Sequence, residues 1–353
     1  MNYAPQGKPS PVVQYGEFVF AAVALDHGHI YGQCHGLVEA GAELRYVYDP
    51  DPARVEAFCK TFPKAQPLGS EAEVLEKKDV HLIASAAVPN ERGPLGLRVM
   101  DSGKDYFSDK TPFTEMQQLE AARRKVAETG RKHMVYYSER LHVECAVFAE
   151  QLIKDGAIGR VIHVAGFGPH RLNAPSRPAW FFEKEKYGGI LCDIGSHQFD
   201  QFLAFSGAKD ARVMHASVGN YNNPGHPELE DMGEANLIAD NGATNYVRVD
   251  WFTPDGLHSW GDGRTFILGT KGYMELRKYI DVAGRPGGNH LFLVDQKQAR
   301  YIDCSKVALP FGPQFVADVV NRTHIAQDQE QALLAAELVI KAQKNATVLR
   351  FTE

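Results

Sequence analysis

The sequence lacks the features that mark secreted, membrane-spanning or nucleic-acid-binding proteins. It has five cysteines in 353 residues and no CxxC pair, so neither a disulfide framework nor a cysteine zinc site is expected. It has no run of about eighteen apolar residues that could span a membrane, and its first residues lack the apolar core of a secretory signal. The net charge of −6 gives no general attraction to nucleic acid. These absences favour a cytoplasmic protein with neither a membrane nor a nucleic-acid partner.

The length and composition predict an ordinary globular protein of two domains. Hydrophobic residues make up 44% and charged residues 23% of the 353 positions, which is typical of folded chains. We place the domains at residues 1–139 and 140–353, where the pattern of apolar residues changes.

In the first domain, short apolar runs alternate with segments of helical periodicity between Phe18 and Tyr137. This alternation is typical of a doubly wound, mostly parallel sheet of the Rossmann type. Such sheets bind ligands beyond the carboxyl ends of their strands, so functional residues are expected in the loops at 25–30, 49–52, 88–92 and 108–113.

In the second domain, a helix near 142–154 precedes several strand-like runs separated by Gly, Pro, Asn and Asp. The spacing predicts an α+β domain with a largely antiparallel sheet. The expected strands are 160–167, 213–218, 234–239, 244–252, 265–268, 273–277 and 291–294, and a helix over 332–343 closes the chain.

The turn after the first strand is the expected cradle for a dinucleotide pyrophosphate. Its sequence, Ala24 to Gly32, is not a regular GxGxxG, and Asp26 would repel a phosphate. An ordinary strand–turn–helix therefore remains as good a reading of this segment as a cofactor turn. The candidate cofactor-binding residues are Asp26, His27, Gly28, His29 and Ile30.

Asp49 ends the second predicted strand, about 20 residues beyond the turn, where a carboxylate can bind the ribose hydroxyls of NAD and disfavour the 2′-phosphate of NADP. NAD is thus the expected cofactor, with NADP disfavoured. A helix cap before Pro52 is the alternative role for an aspartate here.

Two further segments carry residues suited to chemistry. In a helix, Asp193, His197 and Asp200 would share one face, where a histidine beside carboxylates can transfer protons or bind a divalent metal. A solvated polar stripe explains the same spacing equally well. Lys110 follows a strand and precedes a capped helix, where it can polarise a substrate oxygen.

Taken in order, these motifs resemble those of the glucose–fructose oxidoreductase/inositol dehydrogenase (Gfo/Idh/MocA) family over nearly the whole chain. The resemblance rests on 47–52, on Val88-Pro89-Asn90, on 103–112, and on 188–200, which contains a complete Gly-Gly-x-x-x-Asp-x-Gly-x-His-x-x-Asp. Three positions depart from the family pattern: Asp26 in the turn, 91–93 where a histidine is usual, and Thr111 between Lys110 and Pro112.

The resemblance implies a role for each matching residue. Lys110 and His197 would flank the reacting carbon, with His197 as acid/base and Lys110 positioning the oxygen. Asp193 would orient the site and bind a substrate hydroxyl. Pro89 and Asn90 would lie against the nicotinamide, and Lys110 would also contact the cofactor.

The substrate expected from this resemblance is a sugar, polyol or related hydroxylated small molecule. Candidate substrate contacts are His170 and Arg171, with aromatic and charged loops around Trp251 and Trp260. No bound metal is expected, and the family relation suggests a homodimer or homotetramer.

Three other functions remain open from sequence. One is an enzyme that keeps NAD bound and uses transient oxidation for elimination or hydrolysis, and another is an inactive ligand sensor on the same fold. The third is a metal-dependent hydrolase built from Asp193, His197 and either His163 or His170.

Overall fold

The computed structural model describes residues 10–350, which divide into two compact units. The N-terminal unit contains residues up to 136 together with 310–333, and the C-terminal unit contains 137–309 together with 334–350. The chain first passes from one unit to the other between residues 136 and 137, close to the expected boundary at 139/140. The return of 310–333 to the N-terminal unit differs from the expected division at 139/140. Within residues 10–350, no helix is both long enough and apolar enough to cross a membrane.

The N-terminal unit is a Rossmann-type sheet, which confirms the predicted fold class. Its six parallel strands run in the order β3-β2-β1-β4-β5-β6. The strands are β1 (Val19–Val23), β2 (Glu43–Tyr48), β3 (Gln66–Pro67), β4 (Leu82–Ser85), β5 (Asp105–Asp109) and β6 (His133–Tyr136). The helices are α1 (His29–Glu39), α2 (Pro52–Thr61), α3 (Glu71–Glu76), α4 (Pro89–Asp101), α5 (Met116–Thr129) and, later in the chain, α10 (Phe311–Asn321).

Local sequence signals explain where several of these helices begin. Asp51 accepts a hydrogen bond from the Ala53 N–H and precedes Pro52 at the first position of α2. Ser70 caps α3 through the Glu73 N–H at 3.1 Å. The cap of α5 is Glu115, paired reciprocally with Gln118.

The C-terminal unit contains a nine-stranded mixed sheet that is mostly antiparallel, again as predicted. Its order is β14-β13-β12-β11-β7-β10-β9-β8-β15, with β10 parallel to β7 and β15 parallel to β8. The strands are β7 (Val161–Pro169), β8 (Ala211–Gly219), β9 (Met232–Ala239), β10 (Thr244–Asp250), β11 (Arg264–Gly269), β12 (Gly272–Arg277), β13 (His290–Asp295), β14 (Ala299–Asp303) and β15 (Thr347–Leu349). The α-helices are α6 (Ser138–Leu141), α7 (Glu144–Lys154), α8 (Lys184–Tyr187), α9 (Ser196–Ser206) and α11 (Gln329–Lys344), whose first residues are counted with the N-terminal unit.

The return segment is fixed to the N-terminal unit by close packing of α10 against α1. A Cβ atom added to Gly312 would overlap the carbonyl oxygen of Gly36 on α1, so the two helices approach backbone to backbone. The Phe315 ring packs 4.4 Å from the Phe107 ring on β5, centroid to centroid. Helix packing, rather than proximity in sequence, therefore assigns this segment to the first sheet.

Gly312→Ala should destabilise the protein although alanine favours helices. Overpacking against rigid backbone costs about 1–3 kcal/mol, more than the roughly 1 kcal/mol that alanine gains over glycine in a helix. Differential scanning calorimetry should show a lower unfolding midpoint. Gly256→Ala is the control, because a Cβ there meets nothing within 4 Å. Equal midpoints for the two variants would contradict the close packing of α10 on α1.

Candidate active site

In the N-terminal unit, the predicted site residues all follow the carboxyl ends of sheet strands. Residues 26–30 follow β1, Asp49 follows β2, Pro89 and Asn90 follow β4, and Lys110 follows β5. Parallel strands end at the same edge of a sheet, which is where doubly wound proteins bind ligands.

The turn after β1 combines one left-handed backbone position with few glycines. Ala24 has a left-handed φ of 59°, a conformation that glycine adopts more readily. Helix α1 begins at His29 with no side-chain cap, and a Cβ on Gly28 would meet nothing within 4 Å. The His29 N–H, the first of α1, already donates to His27 Nδ1 at 3.3 Å, so the features that favour an anion such as a pyrophosphate here are the helix dipole and the space beside Gly28.

Asp49 is a buried link between the first two strand ends. Its Oδ2 accepts the Leu25 N–H at 2.6 Å and its Oδ1 accepts the Asp51 N–H at 2.8 Å. Arg54 lies beside it, 3.6 Å from Asp49 Oδ1, and also pairs with Asp26. Burial raises the pKa of Asp26 above its ordinary value although Arg54 opposes the shift. Asp49 thus fixes the turn, and its contact with a ribose stays a prediction.

Asn90, at the start of α4, presents an unsatisfied acceptor. Its Oδ1 atom is buried and has no hydrogen-bond partner among the described residues, while its carbonyl oxygen accepts from Gln118 Nε2 at 2.8 Å. A buried polar atom without a partner is costly unless a ligand or water completes it. Asn90 therefore fits a polar cofactor group, in keeping with its expected role beside the nicotinamide.

Asp109, the last residue of β5, collects four polar contacts. Its Oδ1 lies 2.8 Å from His29 Nδ1 and accepts the Lys110 N–H at 2.8 Å. Its Oδ2 lies 3.1 Å from His27 Nδ1 and accepts from Arg92 Nη2 at 3.0 Å. Burial would raise the pKa of Asp109, but His29, Arg92 and His27 hold it well below the usual range. Burial and the neighbouring His29 lower the pKa of His27 to about 4.

Lys110 is 5% exposed and is held through its backbone. Its N–H bonds to Asp109, and its carbonyl oxygen accepts from the Arg92 guanidinium, which is itself 1% exposed. The peptide bond from Lys110 to Thr111 is cis. Arg92, one of the residues that depart from the family pattern, therefore positions the predicted catalytic lysine.

In the C-terminal unit, the Asp193 and His197 segment is helical but not uniformly α-helical. A π-helical turn over Leu191–Gly195 precedes α9, and the Asp193 N–H donates to the Gly189 carbonyl at 2.9 Å. A Cβ on Gly189 would overlap the Gln343 side chain, so that glycine permits a close approach. His197 lies in the first turn of α9 and is only 2% exposed.

Asp200 has a structural partner, which the spacing argument alone did not show. Both of its carboxylate oxygens accept from Arg140, from Nε at 2.7 Å and from Nη2 at 3.0 Å. Burial raises the pKa of Asp200 although Arg140 opposes the shift. The pair joins α6 to α9 and orients the helix that carries His197.

A buried carboxylate that the sequence did not single out lies in the electrostatic environment of His197. Glu139 Oε2 lies 2.6 Å from Lys278 Nζ, and it accepts from Gln198 Nε2 at 3.0 Å. Burial would raise the pKa of Glu139, but attraction to Lys278, with smaller contributions from His197 and His170, holds it well below its ordinary value. Glu139 is therefore an ionised group among the histidines of this unit.

His170 belongs to an aromatic cluster, whereas the Arg171 side chain is engaged with a loop. The His170 ring lies edge-on to Trp260 and Trp251, at centroid distances of 4.3 and 5.4 Å. The Arg171 guanidinium pairs with Asp255 at 2.6 Å and donates to two main-chain carbonyls of 257–259. Arg171 therefore shapes this loop, and its contact with a substrate stays a prediction.

Arg177 is a further residue that the sequence did not indicate. Its guanidinium lies over the rings of Phe181 and Trp251, 4.6 and 5.1 Å from their centroids. Burial lowers the pKa of Arg177, and the charge of Asp193 opposes that shift. A cation stacked on aromatic rings near Asp193 extends the polar lining of this unit.

The strand order β3-β2-β1-β4-β5-β6 is that of a doubly wound Rossmann fold, in which ligands bind at the carboxyl ends of the strands. Residues 147–275 match the C-terminal domain of the Gfo/Idh/MocA family. A crystal structure of a protein from Erwinia carotovora atroseptica SCRI1043, assigned as an oxidoreductase, is 46% identical, covers 95% of this chain and 100% of its own, and has a TM-score of 0.92. The chain belongs to the Gfo/Idh/MocA family of oxidoreductases.

Two other relatives lie at greater distance. The scyllo-inositol 2-dehydrogenase (NAD(+)) of Bacillus subtilis is 28% identical over 66% of this chain and 65% of its own length. An Agrobacterium radiobacter oxidoreductase in complex with NAD+, L-tartaric acid and magnesium is 18% identical, covers 93% of this chain and 97% of its own, and has a TM-score of 0.78. At that identity the second likeness bears on the fold alone.

Lys278→Met should destabilise the protein strongly, because it leaves the Glu139 carboxylate buried without its cation. Removing one partner of a buried pair costs about 3–5 kcal/mol, whereas Lys209→Met, at an exposed site, should change stability by less than about 0.5 kcal/mol. Urea unfolding measures both. Adding Glu139→Gln to Lys278→Met should recover part of the loss, and a double variant no more stable than Lys278→Met would contradict the pairing.

Proposed function

We propose that this protein is an NAD-dependent oxidoreductase that transfers a hydride between nicotinamide and a hydroxyl or carbonyl carbon of a sugar, polyol or related small molecule. The observation that carries the proposal is the buried His197 of the C-terminal unit, with the ionised Glu139 in its electrostatic environment. Histidine is the side chain that most often serves as a general acid or base, so His197 suits proton transfer with a substrate hydroxyl.

The N-terminal unit would hold the cofactor. The N-terminus of α1, with Gly28 and His29, suits the pyrophosphate, and the unsatisfied Asn90 Oδ1 suits a polar group at the nicotinamide end. Asp26, His27, Ile30 and Pro89 complete the proposed contact set. When bound, the nicotinamide supplies the hydride chemistry, and the protein supplies binding and orientation.

We assign the proton transfer to residues of this chain. His197 accepts the proton of the substrate hydroxyl during oxidation and returns it during reduction. Lys110 positions the substrate oxygen, because Arg92 and Asp109 hold its backbone fixed. Asp193, on the π-helical turn, binds a neighbouring hydroxyl, and the charges of Asp193 and Arg177 attract each other.

The substrate class rests on the lining of the C-terminal unit. His170 with Trp251 and Trp260 offers polar atoms beside ring faces, the combination that suits hydroxyls and C–H faces of polyols. Arg171 remains a proposed substrate-site residue because it holds the loop of residues 255–259 in place. The scyllo-inositol 2-dehydrogenase (NAD(+)) of Bacillus subtilis, a relative of this chain, supports a polyhydroxylated substrate.

Two further properties belong to the proposal. The five cysteines are all free thiols, which is consistent with a cytoplasmic, reducing location. The mixed sheet exposes Tyr273 and Tyr301, which supports association into a homodimer or homotetramer. Sedimentation of the purified protein tests the second point.

NAD should bind more tightly than NADP. Arg54, the cation at the end of β2, is already surrounded by carboxylates: it pairs with Asp26 and lies 3.6 Å from both Asp49 and Asp51. A 2′-phosphate would bring its charge toward three carboxylates. Titration calorimetry with each cofactor measures the preference. Asp49→Ser should reduce the ratio of NAD affinity to NADP affinity, and the exposed-site control Asp101→Ser should leave that ratio unchanged. NADP binding tighter by about tenfold would contradict the Asp49 assignment.

His197→Ala should abolish turnover while leaving NAD binding nearly unchanged. A general acid–base group contributes about 10²–10⁴-fold in rate, so the loss should fall on kcat for a substrate found by screening sugars and polyols. His197→Gln preserves more of the buried volume, and thermal unfolding checks both variants. His215→Ala, at an exposed position on β8, is the control. Full activity in both His197 variants would contradict the assignment, and a parent protein that turns over no substrate would instead favour a sensor.

A further inference from the structure

The turn after β1 and the end of β5 bring two histidines and an aspartate to one point of the N-terminal unit. Ligand-type atoms of His27, His29 and Asp109 all lie within 4.8 Å of one another. Each histidine directs its Nδ1 atom toward a different oxygen of the same carboxylate, at 3.1 and 2.8 Å. We propose that these three residues form a binding site for one divalent transition-metal cation, contrary to the expectation from sequence that no metal is bound.

The Nδ1 atom of His27 faces the carboxylate that it would share with a cation. It lies 3.1 Å from Asp109 Oδ2 and also accepts the His29 main-chain N–H over a long 3.3 Å. A cation between the imidazoles and the carboxylate would take the place of that long N–H contact at the nitrogen lone pair, and it would bring positive charge to the anionic oxygen.

The surroundings also match those of metal ligands. Asp109 also accepts two hydrogen bonds from groups other than the histidines: from Arg92 Nη2 at 3.0 Å and from the Lys110 N–H at 2.8 Å. Outer partners of this kind orient a ligating carboxylate. The His27 and His29 side chains are 29% and 31% exposed, so a cation could enter from solvent and keep coordination positions for water or an anionic oxygen.

The donor set indicates which cations fit. Two imidazole nitrogens and one carboxylate oxygen suit zinc, iron, nickel or copper, whereas magnesium and calcium prefer oxygen ligands. The positive charges that oppose binding are Arg92, which contacts Asp109, and Lys110, which acts on His27. The site should therefore prefer transition metals, with weaker affinity than the same ligands would have without these cations.

Zinc titration of chelator-treated, tag-free protein tests the proposal. Calorimetry should show one saturable site per chain, and Co²⁺ should give visible absorption bands typical of nitrogen and oxygen ligands. His27→Ala and His29→Ala should each weaken binding by at least about tenfold, and magnesium should not compete. His215→Ala, which removes an exposed histidine of the C-terminal unit, should leave binding unchanged.

Four outcomes would overturn the proposal: no saturable zinc binding in the parent protein, binding retained by both histidine variants, equal loss in His215→Ala, or displacement by magnesium. Asp109→Asn should also weaken zinc binding, with its thermal unfolding checked because the residue is buried. NAD binding is measured separately on the chelator-treated protein, so failure of the cation site and failure of the proposed oxidoreductase function give different results.

Discussion

The Asp109 carboxylate is the group on which the arrangement of the N-terminal unit's site most depends. It is fully buried at the end of β5, where an unpaired charge would cost several kcal/mol. Arg92 and the Lys110 N–H therefore bind it, and both histidines of the first turn lie against it. One buried charge thus fixes residues from the turn after β1, from α4 and from the loop after β5.

The C-terminal unit uses the same principle at two carboxylates. Glu139 is paired with Lys278 and Asp200 with Arg140, all nearly inaccessible to solvent. Buried pairs of this kind seldom stabilise a protein more than apolar residues of equal volume would. Their value lies in geometry, since each pair positions a segment near His197. Arg140 joins α6 to α9 through Asp200, and Glu139 holds Gln198, the residue after His197 on α9.

The sequence predicted the fold well because the apolar pattern follows local periodicity, which short windows reveal. Strand ends then identified Lys110 and the first turn as candidates. The partners of those residues could not be predicted: Arg92 and Asp109 are joined by tertiary structure, and neither shows a recognisable spacing. Glu139 was missed for the same reason, because its partner Lys278 is distant in the chain. The assignment of 310–333 depended on the contact of Gly312 with α1, which has no local signal.

The first turn holds a left-handed backbone position that is not glycine. Left-handed backbone at Ala24 costs about 1–2 kcal/mol relative to an ordinary conformation, so other interactions must hold it. The Leu25 N–H bonds to Asp49 and the His27 N–H bonds to the Ala86 carbonyl, tying the turn to β2 and to the end of β4. At Gly32 a Cβ would lie 2.7 Å from the Tyr136 hydroxyl, so glycine lets the helix approach that ring. Long-range hydrogen bonds thus hold at Ala24 a conformation that glycine would adopt more readily, and the same turn carries His27 and His29.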